Sequence, residues 1–271
     1  MSLACICDHI PRRLVRIAYF DHAGSASLEQ EPLAVTSSIL IHGDDQWREI
    51  ETLRKRILAQ DEWGLTSEER EHFEFHAKDI FWSGKPPFER WTKDKRHRLL
   101  TAFLNIIAVY ALPIFYGALD RAKYRDALAS FYNDAPADVV AEEQVSAFVT
   151  CVRNINFWLH CNASDEVALC IVDETREAMT NIKQSLLKRR TLSESISGVS
   201  QFKHIVDTAY FGKSNESFGL ELADSCSFFL KRHLMGKTDP DSEYFYTLLR
   251  PFIQRDPFGV DWAAAFVWND V

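Results

Sequence analysis

The feature that most constrains the fold is a pair of short apolar runs that each end directly in an acid. Residues 14–20 are followed by Asp21, and residues 167–172 are followed by Asp173. Short apolar runs of this kind are typical of strands, and a continuous one is typical of a strand near the centre of a sheet. We expect the two strands to be adjacent in one mixed sheet, with their acid-bearing ends on the same side.

Strand and helix patterns alternate along the remainder of the chain. Further strands are predicted at residues 33–41, 114–119 and 202–210, and the first of these forms a hairpin with residues 14–20. Apolar spacing predicts helices at residues 47–58, 99–109, 139–159, 174–190 and 217–234. The predicted fold class is therefore α/β, a mixed sheet flanked by helices with a helical insertion. The domain is expected to cover 12–235, and a C-terminal tail, 236–271, to pack on it.

Composition narrows the classes of function. The chain has 271 residues, 46% of them hydrophobic, and a formal charge of -8. This charge argues against a general basic surface for nucleic-acid binding, but it is compatible with a local basic groove. No apolar run reaches the ~18 residues of a membrane span, so no membrane partner is expected. Residues 1–11 lack the pattern of a secretory signal, so we expect a cytoplasmic protein with reduced thiols.

Two further acids lie among apolar residues. Glu74 stands between two phenylalanines, and Asp224 interrupts an apolar stretch. A carboxylate in such surroundings must be hydrogen-bonded, protonated or bound to a cation. Each acid taken alone is also explained by a turn cap or a solvated strand end. Together with the two acids at the strand ends, they predict one site that holds Mg²⁺ or Mn²⁺ through oxygen ligands.

Four short blocks of sequence contain these acids. They are Tyr19-Phe20-Asp21-His22-Ala23-Gly24-Ser25, Phe73-Glu74-Phe75-His76-Ala77-Lys78-Asp79-Ile80-Phe81, Ile171-Val172-Asp173-Glu174 and Gly219-Leu220-Glu221-Leu222-Ala223-Asp224. In order, they resemble the Asp-Glu-Ser-Gly opening, the Glu-x-His block, the central strand with its acid and the Gln-Leu-Ala-Asp block of the domain-of-unknown-function 3800 family. That family is similar to ribonuclease-H-like and integrase-like metal nucleases, so the resemblance implies a ribonuclease-H-like fold and a nuclease site.

The resemblance also implies roles for individual residues. The metal ligands and catalytic acids would be Asp21, Glu74, Asp173 and Asp224. His76 joins them as a candidate general acid or phosphate contact. Two residues depart from the family pattern: His22 stands where Glu is usual, and Glu221 stands where Gln is usual. The first departure alters the expected metal site and puts catalysis in question.

Two functions therefore remain open. One is a Mg²⁺- or Mn²⁺-dependent nuclease that hydrolyses phosphodiester bonds through the four carboxylates. The alternative is a catalytically degenerate member that binds nucleic acid or protein, which His22 and the acidic charge favour. A third possibility, a structural oligomerisation module, would use the aromatic residues of the tail. The oligomeric state itself does not follow from the sequence.

A basic stretch with interleaved tryptophans follows the Glu74 block. Its predicted nucleic-acid contacts are Lys78, Arg90, Lys93 and Arg96. Trp82 and Trp91 would stack bases beside these phosphate contacts. The same pattern is also typical of a solvated face. His72 and His76 have the spacing of a zinc pair on a helix, but the alternating phenylalanines around Glu74 favour an extended segment.

Overall fold

The strands of the computed structural model form one mixed sheet. The model describes residues 14–24, 28–44, 46–131, 139–174, 179–191 and 202–254. The strands are β1 (Val15–Ala23), β2 (Leu33–His42), β3 (Ile114–Asp120), β4 (Val167–Asp173) and β5 (Ile205–Gly212), and the sheet order is β3-β2-β1-β4-β5. β2 is antiparallel to both of its neighbours, whereas β1, β4 and β5 are parallel. The predicted α/β class and the mixed sheet are confirmed.

Helices connect and cover these strands. They are α1 (Gln46–Leu58), α2 (Ser67–Glu71), α3 (Ala77–Trp82), α4 (Lys93–Val109), α5 (Arg121–Phe131), α6 (Val139–Asn162), α7 (Met179–Thr191), α8 (Phe218–Leu234) and α9 (Pro240–Leu249). Short 3₁₀ turns cover Asp61–Trp63, Phe88–Arg90, Ser214–Glu216 and Arg250–Phe252. Within the described ranges, no helix is long and apolar enough to cross a membrane.

The helix predictions differ from the structure mainly at their ends. α4 begins at Lys93, one turn and more before the predicted start, because the Thr92 side chain accepts a hydrogen bond from the amide of Lys95. The residues of its first turns are polar, so apolar spacing does not detect them. α7 is described from Met179, and residues 175–178 of the helix predicted there lie outside the described residues.

The sheet separates two apolar layers. Tyr19 packs in the layer formed with α1, α4 and α8, whereas its neighbours Ala18 and Phe20 pack in the layer formed with α6 and α7. This follows from the alternation of side chains along a strand. Any residue of β1 with the parity of Tyr19 therefore faces α8, and this includes Asp21.

The first part of the predicted tail packs against the domain. α9 buries Phe245 and Leu249 completely in the same apolar layer as α4 and α8. Ile253 then forms a parallel bridge with Ile114 at the start of β3. The part of the predicted tail at 255–271, with its remaining aromatic residues, lies outside the described residues.

Candidate carboxylate site

The parallel pairing of β1 with β4 brings the first two acids together. Phe20 pairs with Val172 in this register, so Asp21 and Asp173 follow side by side. Both have the parity of side chains that face α8. The prediction that these two strand ends are adjacent, with their acids on the same side, is confirmed.

A close approach of α8 to the sheet positions the third acid. At Gly219, a Cβ atom would lie 2.5 Å from the ring of Tyr19. Glycine therefore allows the first turn of α8 to rest directly on an aromatic side chain of β1. One and a half turns later, Asp224 reaches the end of β1 where Asp21 lies, and the two carboxylates interact electrostatically.

Buried hydroxyl groups join α8 to β1 and β2 around Asp21. The hydroxyl of Ser227 lies 3.0 Å from the carbonyl oxygen of Asp21 and 2.9 Å from the hydroxyl of Ser37. The hydroxyl of Ser37 in turn lies 3.0 Å from the carbonyl oxygen of Ala223. These contacts satisfy buried polar groups and fix the helix that carries Asp224 against the sheet. The polar run 36–38 inside the otherwise apolar β2 was the sequence signal for them.

A buried ion pair positions the loop that carries Glu74. Arg54 donates to both carboxylate oxygens of Glu221, from Nε at 2.5 Å and from Nη2 at 2.6 Å. The same Nη2 donates to the carbonyl oxygen of Phe73 at 2.7 Å, and the amide of Phe75 donates to Glu221 at 3.1 Å. The Arg54–Glu221 ion pair thus binds the backbone on both sides of Glu74. Burial raises the pKa of Glu221, although Arg54 opposes the shift. Glu221 therefore acts as a positioning group for the loop that carries Glu74.

Ser214 links Glu74 to the end of β4. Its hydroxyl donates to the Glu74 carboxylate at 2.7 Å. Its backbone also forms a hydrogen bond with Asp173, as does the backbone of Glu174. The 3₁₀ turn after β5 therefore contributes to the site, a role that sequence reasoning missed because nothing local marks Ser214.

His76 lies between the carboxylates of Asp79 and Asp224. Its Nδ1 is 2.8 Å from Oδ2 of Asp79, and its Nε2 is 3.6 Å from Oδ1 of Asp224. Asp79 also accepts from Lys85 at 2.7 Å. Burial acts to raise the pKa of Asp79, but the hydrogen bonds from Lys85 and His76 lower it below its ordinary value. The carboxylate of Asp79 thus orients the imidazole, with its second nitrogen directed to the acids.

The segment from His72 to His76 is not one helix. His72 ends α2 as its C-terminal cap, and His76 precedes α3 as its N-terminal cap. Residues 73–76 between them are not helical. The helical spacing that suggested a zinc pair is therefore wrong, and the non-helical segment favoured by the alternating phenylalanines is confirmed.

Burial and mutual repulsion raise the pKa values of three acids. For Asp21, burial raises the pKa well above its ordinary value, and Asp224 and Asp173 raise it further. Burial, together with repulsion from Asp173 and Glu74, raises the pKa of Asp224 to about 6. These effects outweigh the opposing effects of His76 and of a backbone amide. Burial raises the pKa of Asp173 as well, and Glu74 adds to it. The structure thus brings all four predicted acids into one electrostatic neighbourhood.

The acids are not gathered into a closed coordination shell. In the described part of the chain, no group of three or more His, Cys, Asp or Glu side chains is placed to hold one metal ion. Their chemistry nevertheless suits a hard divalent cation, since all four offer carboxylate oxygens. A bound cation would also relieve the repulsion that raises their pKa values. The residues present fit Mg²⁺ or Mn²⁺ by donor type, and their side chains would have to move to reach the ion.

His22 faces away from the acids. Its Nδ1 lies 2.7 Å from the hydroxyl of Thr36, and its ring packs 6.2 Å from that of Phe148 on α6. Burial lowers the pKa of His22 to about 4. The imidazole is therefore neutral at physiological pH, and it adds no negative charge where the family pattern has Glu.

The predicted nucleic-acid contacts divide into two groups. Lys78 lines a pocket of about 420 Å³ together with Asp21, His76 and Asp224. Arg90, Lys93 and Arg96 do not line this pocket. Their partners are Glu69, Asp241 and the carbonyl oxygen of Trp91, respectively. Trp91 itself is only 6% exposed, so the expectation that it stacks on a base is wrong.

No family model matches the chain, and no curated protein matches it. The resemblance carried by the four blocks stays a prediction, and the case for function depends on the geometry of the acids.

Proposed function

We propose that the protein is a divalent-metal-dependent nuclease that hydrolyses phosphodiester bonds at the carboxylate site. The observation that carries this proposal is the convergence of Asp21, Glu74, Asp173 and Asp224 from four separate parts of the chain. Carboxylates that repel each other and have raised pKa values lower the stability of the fold when they are ionised. A bound cation would offset this cost, and it would also activate water and stabilise a leaving oxygen.

The arrangement of the sheet supports a ribonuclease-H-like core within this proposal. The strand order β3-β2-β1-β4-β5, with β2 antiparallel to the rest, places the ends of β1 and β4 at the centre of the sheet. Two of the acids are thereby anchored on central strands, which hold functional groups more firmly than loops do. The other two come from α8 and from the loop held by the Arg54–Glu221 pair.

The residues of the site would divide the work. Asp21, Asp173, Asp224 and Glu74 would hold Mg²⁺ or Mn²⁺, which supplies Lewis-acid charge and lowers the pKa of water. Ser214 keeps Glu74 directed to the site. His76, whose Nδ1 contacts Asp79, presents Nε2 on the pocket side, where it would exchange a proton with a reacting oxygen.

Cleavage assays test this proposal directly. Labelled single- and double-stranded DNA and RNA are incubated with the protein in Mg²⁺, in Mn²⁺ and in EDTA. We expect cleavage that requires metal, and a loss of at least ~10²-fold in rate for Asp173→Asn, comparable to the removal of a preorganised electrostatic contact. Asp126→Asn on the exposed face of α5 is the matched control and should retain full activity. Equal cleavage by Asp173→Asn and the parent protein would refute the assignment.

A second candidate function is binding of nucleic acid or protein without catalysis. Two observations favour it: the acids form no closed metal shell among the described residues, and the neutral His22 stands where the family pattern has an acid. Absence of cleavage on every substrate and metal, together with measurable binding, would establish this second function in place of the first.

We also propose a cytoplasmic location. Cys151, Cys170 and Cys226 are buried and form no disulfide among the described residues, which suits a reducing compartment. A fluorescent fusion followed by fractionation would test it, and recovery in an oxidising compartment would contradict it.

A further inference from the structure

Beside the acids, the pocket has a wall of a different character. Lys78 and Trp82 lie one turn apart on α3, and both line the pocket. Lys231, Arg232 and Lys237, from α8 and the turn after it, line it as well. The wall therefore combines four cationic residues with the aromatic rings of Trp82 and Phe228, directly next to the carboxylates.

The cations of this wall are not equivalent. Lys231 is paired with Glu31, and Arg232 is paired with Asp239 at 2.6 Å. Lys78 and Lys237 are exposed, and in the described part of the chain neither has an ion-pair partner. The two lysines thus offer positive charge at the mouth of a pocket whose floor carries Asp21 and Asp224.

Trp82 is held in place and yet is open to solvent. The guanidinium of Arg232 lies 4.9 Å from the centre of its ring, and Phe81 packs edge-on against it. Even so, 56% of Trp82 is exposed, which is unusual for a tryptophan of a packed domain. A fixed, exposed indole bordered by lysines offers a flat surface to an unpaired base and positive charge to its phosphates.

From these contacts we infer that the wall formed by Lys78, Trp82 and Lys237 binds a single-stranded segment of nucleic acid, with a base stacked on Trp82 and phosphates on the two lysines. An unpaired strand is required because a base inside a duplex does not expose its face to the ring. This inference deepens the proposed function, on which it rests, by naming the form of the substrate. It also moves the nucleic-acid contact from Arg90, Lys93 and Arg96 to α3 and the end of α8.

Binding measured without catalysis tests the inference. Fluorescence anisotropy follows labelled oligothymidylate and oligouridylate of about 15 nucleotides, a length within the range of one single-strand site. EDTA is present throughout, so that metal-dependent cleavage does not interfere. The DNA and RNA arms show whether a 2′-hydroxyl contributes to affinity.

Trp82→Leu and Trp82→Phe separate stacking from structure. Loss of one stacked base predicts an affinity about tenfold lower for Trp82→Leu, and Trp82→Phe should recover most of it because the ring is retained. Circular dichroism checks that both variants fold. Equal affinity of Trp82→Leu and the parent protein would overturn the inference.

The lysines are tested through the salt dependence. Removing two phosphate contacts with Lys78→Ala and Lys237→Ala together should reduce the slope of log affinity against log salt by about 1.4. Lys123→Ala on α5 is the matched control and should leave the slope unchanged. An unchanged slope in the double variant would remove the lysines from the site. No binding by the parent protein up to about 100 μM, or equal competition by polyglutamate, would overturn the nucleic-acid assignment.

The two proposals fail in different ways. Binding that follows this pattern without cleavage in any metal removes the nuclease and leaves the single-strand site. Metal-dependent cleavage with the same KM in Trp82→Leu as in the parent protein leaves the nuclease and removes the single-strand site.

Discussion

Replacing Arg54 with Met would leave the carboxylate of Glu221 buried without its cation. The Glu221 side chain is 0% exposed, and Arg54 supplies two of its hydrogen bonds and one to the carbonyl of Phe73. Removing one partner of a buried ion pair costs about 3–5 kcal/mol. Because 17% of the Arg54 side chain is exposed, we expect the lower end of that range, about 3 kcal/mol.

A double-mutant cycle isolates the pair from other effects. Glu221→Gln keeps an acceptor for the amide of Phe75 but leaves Arg54 unpaired, and we expect it to cost about 2 kcal/mol. Once Arg54 is absent, the neutral glutamine is the better residue, so the double variant should cost less than Arg54→Met alone, about 2 kcal/mol rather than the sum of about 5. Arg48→Met, on an exposed position of the same helix, should change stability by less than about 0.5 kcal/mol.

Urea unfolding followed by circular dichroism measures these differences. The effect of Arg54→Met should also depend on pH. Without the arginine, the folded-state pKa of Glu221 rises further above its unfolded value, so the folded protein binds the proton more tightly. The deficit should therefore be smaller at mildly acidic pH than at alkaline pH. A cost below about 1 kcal/mol, or additive single changes within about 0.5 kcal/mol, would refute the reasoning.

Three further outcomes are expected. The folded-state pKa of Asp224 is raised to about 6, so the protonated carboxyl should stabilise the fold at acidic pH, and this stabilisation should be lost as pH rises through about 6. Thermal unfolding from pH 5 to 8 should show the fall in stability, and Asp224→Asn should flatten it. Millimolar Mn²⁺ at pH 8 should raise the Tm of the parent protein but not that of Asp173→Asn, and equal shifts would place the ion elsewhere. Gly219→Ala should destabilise the protein by about 1–3 kcal/mol through the clash with Tyr19. Gly212→Ala is the control, because its added Cβ would lie 3.4 Å from the nearest neighbour and should change stability little. Similar Tm values for the two variants would contradict the packing argument.

The sequence predicted those parts of the site that depend on strands. The apolar runs before Asp21 and Asp173 identify two strands, and parallel neighbours place equivalent ends together. Alternation along β1 then fixes which layer Asp21 faces. Both steps use local periodicity, which a single sequence contains.

Contacts between distant parts of the chain could not be predicted in the same way. Arg54 and Glu221 are 167 positions apart, and nothing in the local sequence of either residue identifies the other as its partner. The basic stretch shows the same limit, because two of its four predicted contacts, Arg90 and Lys93, are paired with acids on other elements. Only the fold reveals which charges are already satisfied and which, like Lys78, line the pocket.

The pairing of β1 directly with β4 has a consequence for biosynthesis. The central strand of the sheet is made first, but its parallel neighbour begins only at Val167, and Asp224 follows later still. During translation, β1 can pair with β2 on one side, but its other side stays unpaired until β4 has been made. The protein therefore acquires its complete set of acids late in synthesis, and a chain interrupted before α8 would lack Asp224.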